Sequence, residues 1–300
     1  MIEFNNISKS YGTVKAVEHI NLKVEPGELF GLIGPDGAGK TTLIRMLTTL
    51  LLPDEGIILF SGRNVVDEYL YVRNNVGYMP GTFSLYQDLS VEENLNFFAT
   101  AFGTTVEANY SMIEPIYVQL EPFKKRRAGA LSGGMKQKLA LCCALIHKPE
   151  ILVLDEPTTG VDAVSRKEFW VMLQRLKSDG LTIFVSTPYM DEAAMCDRVA
   201  LIQDGHIMDT DTPEGVTKKF DETLLALTGK YQQATIDLLR SLEQVKNAFP
   251  FGDSIHITLK NGSTSKQIEQ VLSEKKIPYE KLEPIEPVIE DCFMDLMTTH

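Results

Sequence analysis

The chain reads as an α/β protein built on a mainly parallel sheet, with a helical insert and a small α+β unit toward its C-terminal end. Three observations predict this. Short apolar runs alternate with amphipathic helical segments over the first two-thirds of the sequence. Between Val91 and Leu145 the pattern turns helical, with little strand character. After about Phe220 the composition shifts to four short strand-like runs and two helical ones. Alternating strand and helix is the pattern of a parallel sheet covered by helices.

Each element has a local reason. Met1–Asn6 alternates like a strand and lacks the basic and apolar regions of a signal peptide. Glu28–Ile33 is a short apolar run ending at a glycine-rich loop, the pattern of a buried strand. Thr41–Leu52 reads as a helix stopped by Pro53. Ile57–Phe60 and Asn75–Met79 read as strands. Beyond the helical insert, Ile151–Leu154 and Leu181–Val185 are buried strands flanking an amphipathic helix, Val164–Lys177. Arg198–Gln203 and His206–Asp209 flank Asp204-Gly205, a hairpin turn signal. In the last part, strands at Thr223–Thr228, Val245–Phe249, Ser254–Leu259 and Tyr279–Leu282, with helices at 231–242 and Ser265–Ser273, give the order β-α-β-β-α-β of a ferredoxin-like unit. A final helix, Val288–Met297, follows. The expected division is a first domain over 1–219, with its helical subdomain at about 82–147, and an accessory domain over 220–300.

Composition removes several function classes. A net charge of −12 argues against a nucleic-acid partner, whose affinity rests on Lys and Arg neutralising phosphates. The basic run Lys124–Arg127 is a solvated surface. No stretch approaches the roughly 20 apolar residues that cross a bilayer. Cys142, Cys143, Cys196 and Cys292 form no C-x-x-C pair, so reduced thiols are expected rather than zinc or a disulfide framework.

The strongest chemical signal is Gly34-Pro35-Asp36-Gly37-Ala38-Gly39-Lys40-Thr41, followed by Thr42. Glycines in this pattern let backbone N–H groups turn inward and cradle phosphate oxygens. The helix that starts near Lys40 points its positive end at the same anion. Lys40 reaches the β- and γ-phosphates and the Thr41 hydroxyl holds Mg²⁺. Asp36 is a poor choice beside a polyphosphate unless it turns to solvent, since two like charges about 4 Å apart cost on the order of 1 kcal/mol in water. Asp155 ends a buried strand, where it assists Mg²⁺, and Glu156 beside it is a candidate for polarising the attacking water.

These residues, with Leu131-Ser132-Gly133-Gly134-Met135, resemble the ATP-binding cassette family, and within it the ATPase subunits of type-2 ABC exporters. The resemblance covers roughly residues 1–219. It implies a P-loop NTPase of ABC type, with a RecA-like core, an antiparallel β subdomain and a helical subdomain. It implies that Ser132, Gly133 and Gly134, at the start of a helix over Gly133–Ile146, bind the γ-phosphate of ATP held by an opposing cassette. It also implies that Tyr11 stacks on adenine, although a Tyr before a Gly is by itself only a turn signal. Thr159-Gly160-Val161-Asp162 matches the loop that touches the other cassette, and Ile285–Phe293 matches the closing motif of exporter subunits. The cofactors implied are ATP and Mg²⁺. The partners implied are a membrane permease and a second cassette, on the cytoplasmic face of the cell membrane. Residues 82–103, rich in Phe, Leu and Tyr, fall where the family receives the permease. Phe83, Leu85 and Tyr86 read equally as groove or as helical core.

Two departures matter more than the matches. Where the family has a glutamine that touches Mg²⁺ and the attacking water, this chain has Gly81. Gln87 lies inside a well-matched stretch and does not replace it. Where the family has a histidine on the γ-phosphate, this chain has Pro188, and none of His19, His147, His206, His256 or His300 substitutes locally. Proline offers neither a side-chain donor nor an N–H. The expectation is a cassette that binds Mg-ATP, hydrolyses it slowly in its own site, and serves a different, catalytically complete cassette, like the first of two tandem cassettes. A catalytically quiet regulatory or scaffold cassette is the alternative. A soluble non-transport ABC ATPase is the less favoured one, because such proteins need two cassettes or a long coiled-coil insert.

Overall fold

The computed structural model describes residues 1–230 and 232–299. Tyr231, the first residue of the predicted helix 231–242, and His300 lie outside them. The chain divides into two compact units, Met1–Pro213 and Glu214–His300.

The first unit opens with two antiparallel strands, β1 (Ile2–Tyr11) and β2 (Val14–Val24), joined at Gly12 with its φ of +61°. The opening strand is longer than Met1–Asn6, and β2 was not expected. Then come β3 (Leu29–Ile33), every residue buried, and α1 (Lys40–Leu47). Helix α1 ends well before Pro53. The Thr48 hydroxyl donates back to the Ile44 carbonyl at 2.8 Å, and Thr49 enters the left-handed region at φ 61°. Leu50 and Leu51 then return their N–H groups to the Arg45 carbonyl, closing the end. Strands β4 (Glu55–Phe60) and β5 (Arg63–Asn64) complete a four-stranded antiparallel sheet of order β2-β1-β4-β5. A short helix, α2 (Tyr69–Asn75), precedes β6 (Val76–Met79).

The expected helical insert holds α3 (Val91–Ala101), α4 (Tyr110–Tyr117) and α5 (Gly133–Leu145). Ser90 and Glu93 form a reciprocal capping box that starts α3. The alternation then resumes with β7 (Ile151–Asp155), α6 (Ala163–Ser178), β8 (Thr182–Thr187), β9 (Arg198–Gln203) and β10 (His206–Asp211). The second sheet has the order β10-β9-β3-β8-β7-β6. Its strands β9, β3, β8, β7 and β6 are parallel, and only β10 runs antiparallel, at an edge. The core lies between the two sheets. Phe184 sits 6.0 Å from Phe4 of the antiparallel sheet and 6.1 Å from Phe30 of the parallel one. Leu43, Ile44 and Leu47 of α1 pack into the same cluster. Each such buried side chain contributes about 1.5–3 kcal/mol relative to exposure. This core holds the carboxyl ends of β3, β8, β7 and β6 at one edge, the side where open α/β sheets bind ligands.

After α7 (Pro213–Lys218), the second unit runs β11 (Leu224–Thr228), α8 (Gln233–Arg240), β12 (Val245–Phe251), β13 (Ser254–Leu259), α9 (Ser265–Glu274), β14 (Lys281–Pro284) and α10 (Ile289–Thr299). Its antiparallel sheet has the order β12-β13-β11-β14, the β-α-β-β-α-β arrangement expected. Leu225, Leu227, Ile255 and Ile257 of the sheet pack with Ile236, Leu239, Ile268 and Leu272 of α8 and α9. The last strand begins two residues later than expected, because Lys281 is the residue that pairs with Thr228. Polar contacts reach α10 from the sheet: Asp291 meets His256 Nδ1 at 2.7 Å, and Asp295 meets Lys246 Nζ at 2.7 Å.

Candidate functional site

The loop between β3 and α1 is shaped by its glycines. A Cβ at Gly34 would stand 2.2 Å from the Ile202 carbonyl oxygen, so the backbone there approaches β9 as only glycine allows. Gly39, at φ +105°, would place one 2.5 Å from the Ala16 carbonyl oxygen. The first turn of α1 carries no acidic side chain. The N–H groups of that first turn are therefore not opposed by an acidic side chain of the helix itself. Asp36 is exposed, which answers the repulsion its charge would otherwise cause.

Lys40 is only 3% exposed. Its ammonium donates to the Gly34 carbonyl at 2.8 Å and the Pro35 carbonyl at 2.9 Å, and stands 3.0 Å from Glu156 Oε1. The Thr41 hydroxyl donates to Asp155 Oδ1 at 3.1 Å. Asp155 also accepts from the Ser186 hydroxyl at 2.7 Å, a partner on the neighbouring strand β8. Glu156 adopts φ 48°, left-handed for a non-glycine residue. The Ser186 carbonyl and hydroxyl hold its N–H at 3.0 and 3.1 Å. Strained backbone of this kind persists where the surroundings over-determine it. A cleft of about 330 Å³ lies here, lined by residues 14–16, by Gly37 and Gly39–Thr42, and by Glu156 and Asp204.

The profile of the ABC transporter family matches residues 17–159. The chain is 38% identical over 218 residues to the Nod factor export ATP-binding protein I of Burkholderia lata, covering 72% of each chain. The chain belongs to the ABC transporter ATP-binding family. It is also 37% identical, over 99% of its own length, to the probable multidrug ABC transporter ATP-binding protein YbhF of Escherichia coli, of which it spans about half, 52%. Among solved structures, an ATP-binding subunit of an ABC transporter superposes with a TM-score of 0.66 at 28% identity, over 73% of this chain and 93% of that one. A dimeric bacterial ABC transporter cassette does so at 0.64 and 25% identity, over 71% of this chain and 98% of that one. The fold is the ABC type of the P-loop NTPase fold.

The rest of the cassette's predicted residues fall in two further places. Ser132 caps α5, its hydroxyl accepting from the Met135 N–H at 3.4 Å. Ser132 and Gly133 are exposed, while Gly134 is buried against α6, where a Cβ would stand 2.6 Å from Ser165 Oγ. Asp162 caps α6, accepting from the N–H groups of Val164 and Ser165 at 3.1 and 3.0 Å, and those bonds hold its carboxyl below the usual range. Tyr11 is 47% exposed at the β1–β2 turn. It pairs with Val14, which lines the cleft.

Gly81 follows β6, and a Cβ there would stand 3.1 Å from the Asp155 carbonyl oxygen. Pro188 directly follows β8. A second cavity, about 490 Å³, is lined by Thr82, Phe83, Leu85, Phe98 and Phe102 with residues of α5. Of the three aromatic or apolar candidates, Phe83 and Leu85 line it. Tyr86 is exposed and meets Phe97 edge-on at 4.7 Å.

Sequence reasoning missed Ser186 and Glu192. Ser186 and Thr187 close strand β8 as hydroxyl residues after the apolar run Ile183–Val185, and that contrast was a usable signal. Glu192, 3% exposed, accepts from Thr158 at 2.8 Å and Thr187 at 2.5 Å. Nothing in its surroundings in the sequence marks it as buried.

Proposed function

We propose that this cassette is the ATP-binding part of an exporter, binding Mg-ATP in the Gly34–Thr42 cleft and hydrolysing it slowly there. The observation that carries the reading is the convergence of Lys40, Thr41, Asp155 and Glu156, with Gly81 and Pro188 bringing no side-chain donor beside them. Lys40 binds the β- and γ-phosphates, Thr42 and the N–H groups of Gly37–Thr41 cradle them, and Tyr11 faces the base. The hydroxyl of Thr41 and the carboxylate of Asp155, 3.1 Å apart, are hard oxygen donors suited to Mg²⁺. Mg²⁺ held there supplies charge neutralisation for the phosphates. Glu156 orients and deprotonates the attacking water once a phosphate engages Lys40, its present partner. A missing donor aimed at developing charge costs about 10²- to 10³-fold in rate. Gly81 and Pro188 are therefore read as the cause of slow turnover.

The Ser132–Gly134 loop serves ATP on a second, catalytically complete cassette, as in the first half of a tandem pair. The Phe83–Phe102 cavity receives a cytoplasmic segment of a membrane permease. No helix of the described residues is long and apolar enough to cross a membrane, so the reading requires that permease. The relatives named for multidrug and Nod factor export support export as the direction. A regulatory cassette without turnover is the alternative.

Single-turnover hydrolysis by the chain alone, and by the chain with a co-expressed second cassette, tests the proposal. Slow hydrolysis alone that Glu156→Gln abolishes, and fast hydrolysis in the pair, are expected. Vigorous hydrolysis by the homodimer, lost in Glu156→Gln, overturns the slow-site reading. Recovery of only homodimer with the permease overturns the asymmetric pair.

A further inference from the structure

The loop after β7 carries Glu156 at its start and Asp162 at its end. Its middle is anchored by one buried carboxylate. Glu192 accepts from the Thr158 hydroxyl at 2.8 Å through Oε1 and from the Thr187 hydroxyl at 2.5 Å through Oε2. Arg166 Nε of α6 stands 3.7 Å from Oε1. All of Thr158, Thr187 and Glu192 are at most 3% exposed. The segment that carries Glu192 is itself held. Arg166 bonds Asp191 at 2.8 Å and lies 4.3 Å over the Tyr189 ring, and the Tyr189 N–H donates to Thr187 Oγ1 at 3.1 Å. A buried carboxylate is costly unless donors satisfy it, and a satisfied one fixes a single geometry.

We propose that Glu192 is a positioning residue that clamps the Thr158 loop to the end of β8 and thereby sets where Glu156 presents its carboxylate. The carboxylate itself meets Lys40 at 3.0 Å and accepts from the Thr159 hydroxyl at 3.4 Å, and two anchors hold the backbone on either side of it. Upstream, Ser186 holds the Glu156 N–H at 3.0 and 3.1 Å. Downstream, Glu192 holds Thr158, two residues on. Both anchors end on β8, so this strand acts on the reacting edge through the backbone of its neighbour, while Pro188 at its tip contributes no donor. With Glu156 held at φ 48°, a loosened loop lets the residue relax and moves its carboxylate away from the cleft. The same clamp fixes the start of the segment ending at Asp162. The inference rests on Glu156 acting as the base, so it needs a readout that does not depend on hydrolysis.

Glu192→Gln, Thr158→Val and Thr158→Ser in the full chain supply both readouts. Backbone amide exchange over 158–162 is expected to quicken at least about tenfold in Glu192→Gln and Thr158→Val, with exchange in β3 and β7 unchanged and Thr158→Ser close to the parent. Single-turnover hydrolysis is expected to fall about tenfold in the first two variants and recover in Thr158→Ser, with the dissociation constant for a fluorescent ATP analogue within about twofold of the parent throughout; tenfold corresponds to about 1.4 kcal/mol. Unchanged exchange over 158–162 overturns the clamp. Quickened exchange with unchanged hydrolysis overturns the positioning role. If Glu156→Gln leaves hydrolysis at the parent's level while exchange still responds to Glu192→Gln, the reading of Glu156 fails and the clamp stands.

Discussion

Strands β3, β8, β7 and β6 lie side by side and end at one edge, yet they end differently. β3 runs into Lys40 and Thr41, and β7 ends in Asp155 and Glu156. β8 between them is followed by Pro188, and β6 beyond is followed by Pro80 and Gly81. Strands that present charged or hydroxyl groups alternate with strands that present none. On the proposed reading, the difference teaches that binding and chemistry draw on separate strands of one scaffold. The same packed core positions all four ends, so a strand can lose its functional group without loss of the fold. β8 still serves, but inward: Ser186 and Thr187 steady Asp155, Glu156 and, through Glu192, Thr158.

The largest effect is expected from removing the contribution of β3. Lys40→Ala deletes the one buried cation of the cleft. Charge-assisted hydrogen bonds contribute about 1.5–3 kcal/mol each, so losing two to phosphate weakens nucleotide binding about 10²- to 10⁴-fold. Titration with a fluorescent ATP analogue measures this. Binding within tenfold of the parent would mean that the backbone cradle alone holds the phosphates.

A smaller effect is expected from giving the two silent strands a donor. Gly81→Gln together with Pro188→His should raise single-turnover hydrolysis about tenfold or more, a part of the 10²- to 10³-fold associated with one donor. Pro188→His also restores a backbone N–H. The Gln side chain starts 3.1 Å from the Asp155 carbonyl oxygen, a tight contact that the β7 end must accommodate, so the graft at 81 recovers less than the one at 188. A double variant no faster than the parent would place the limit on turnover elsewhere, with the Glu192 clamp the first position to test.

The glycine-rich loop and the acidic pair of this edge were legible in the sequence, and the contacts that position them were not. The glycine-rich loop has a fixed spacing because Gly34 and Gly39 sit where a Cβ would clash with backbone, and Asp155-Glu156 stands out at the end of an apolar run. The Asp204-Gly205 turn was legible for the same reason, both residues taking positive φ, 47° and 79°. Strand β2 was missed because its pairing with β1 shifts register three times, and Asn6 and His19 sit at φ 55° and 52° within the pair. Those bulges break the alternation that announces a half-buried strand. Its last residues, Ile20 to Val24, do alternate, and that signal was there to be read. Helix α2 buries only Val72, so it has no apolar stripe to find. Leu50, Leu51 and Leu52 extended the apparent helix α1 because hydrophobic pattern carries no information about the Thr48 hydroxyl turning back on Ile44. Glu192 was invisible for a related reason: its partner Thr158 lies 34 residues away in sequence, and only the fold brings the two together.

The smallest expected effect tests whether β6, silent at Gly81, is held rigidly at its other end. His147 Nε2 lies 3.1 Å from the Val76 carbonyl oxygen, and the ring stacks on Phe102 at 3.8 Å. Burial lowers the pKa of His147, opposed by the bond to Val76, so the neutral ring is the favoured form in the folded chain. The sign follows from linkage. The folded pKa lies below the unfolded value of about 6.5, so the stability contributed by the neutral ring is complete above that value and is lost as pH falls through the folded one. Urea midpoints measured from about pH 7.5 to about pH 5 should therefore fall less steeply in His147→Gln than in the parent over the acid half of the range. Parallel curves would mean that the ring takes up its proton freely and that the start of β6 is looser than its packing implies. In that case the Gly81 end of the strand could also shift, and the Gly81→Gln graft would lose the fixed frame on which its geometry depends.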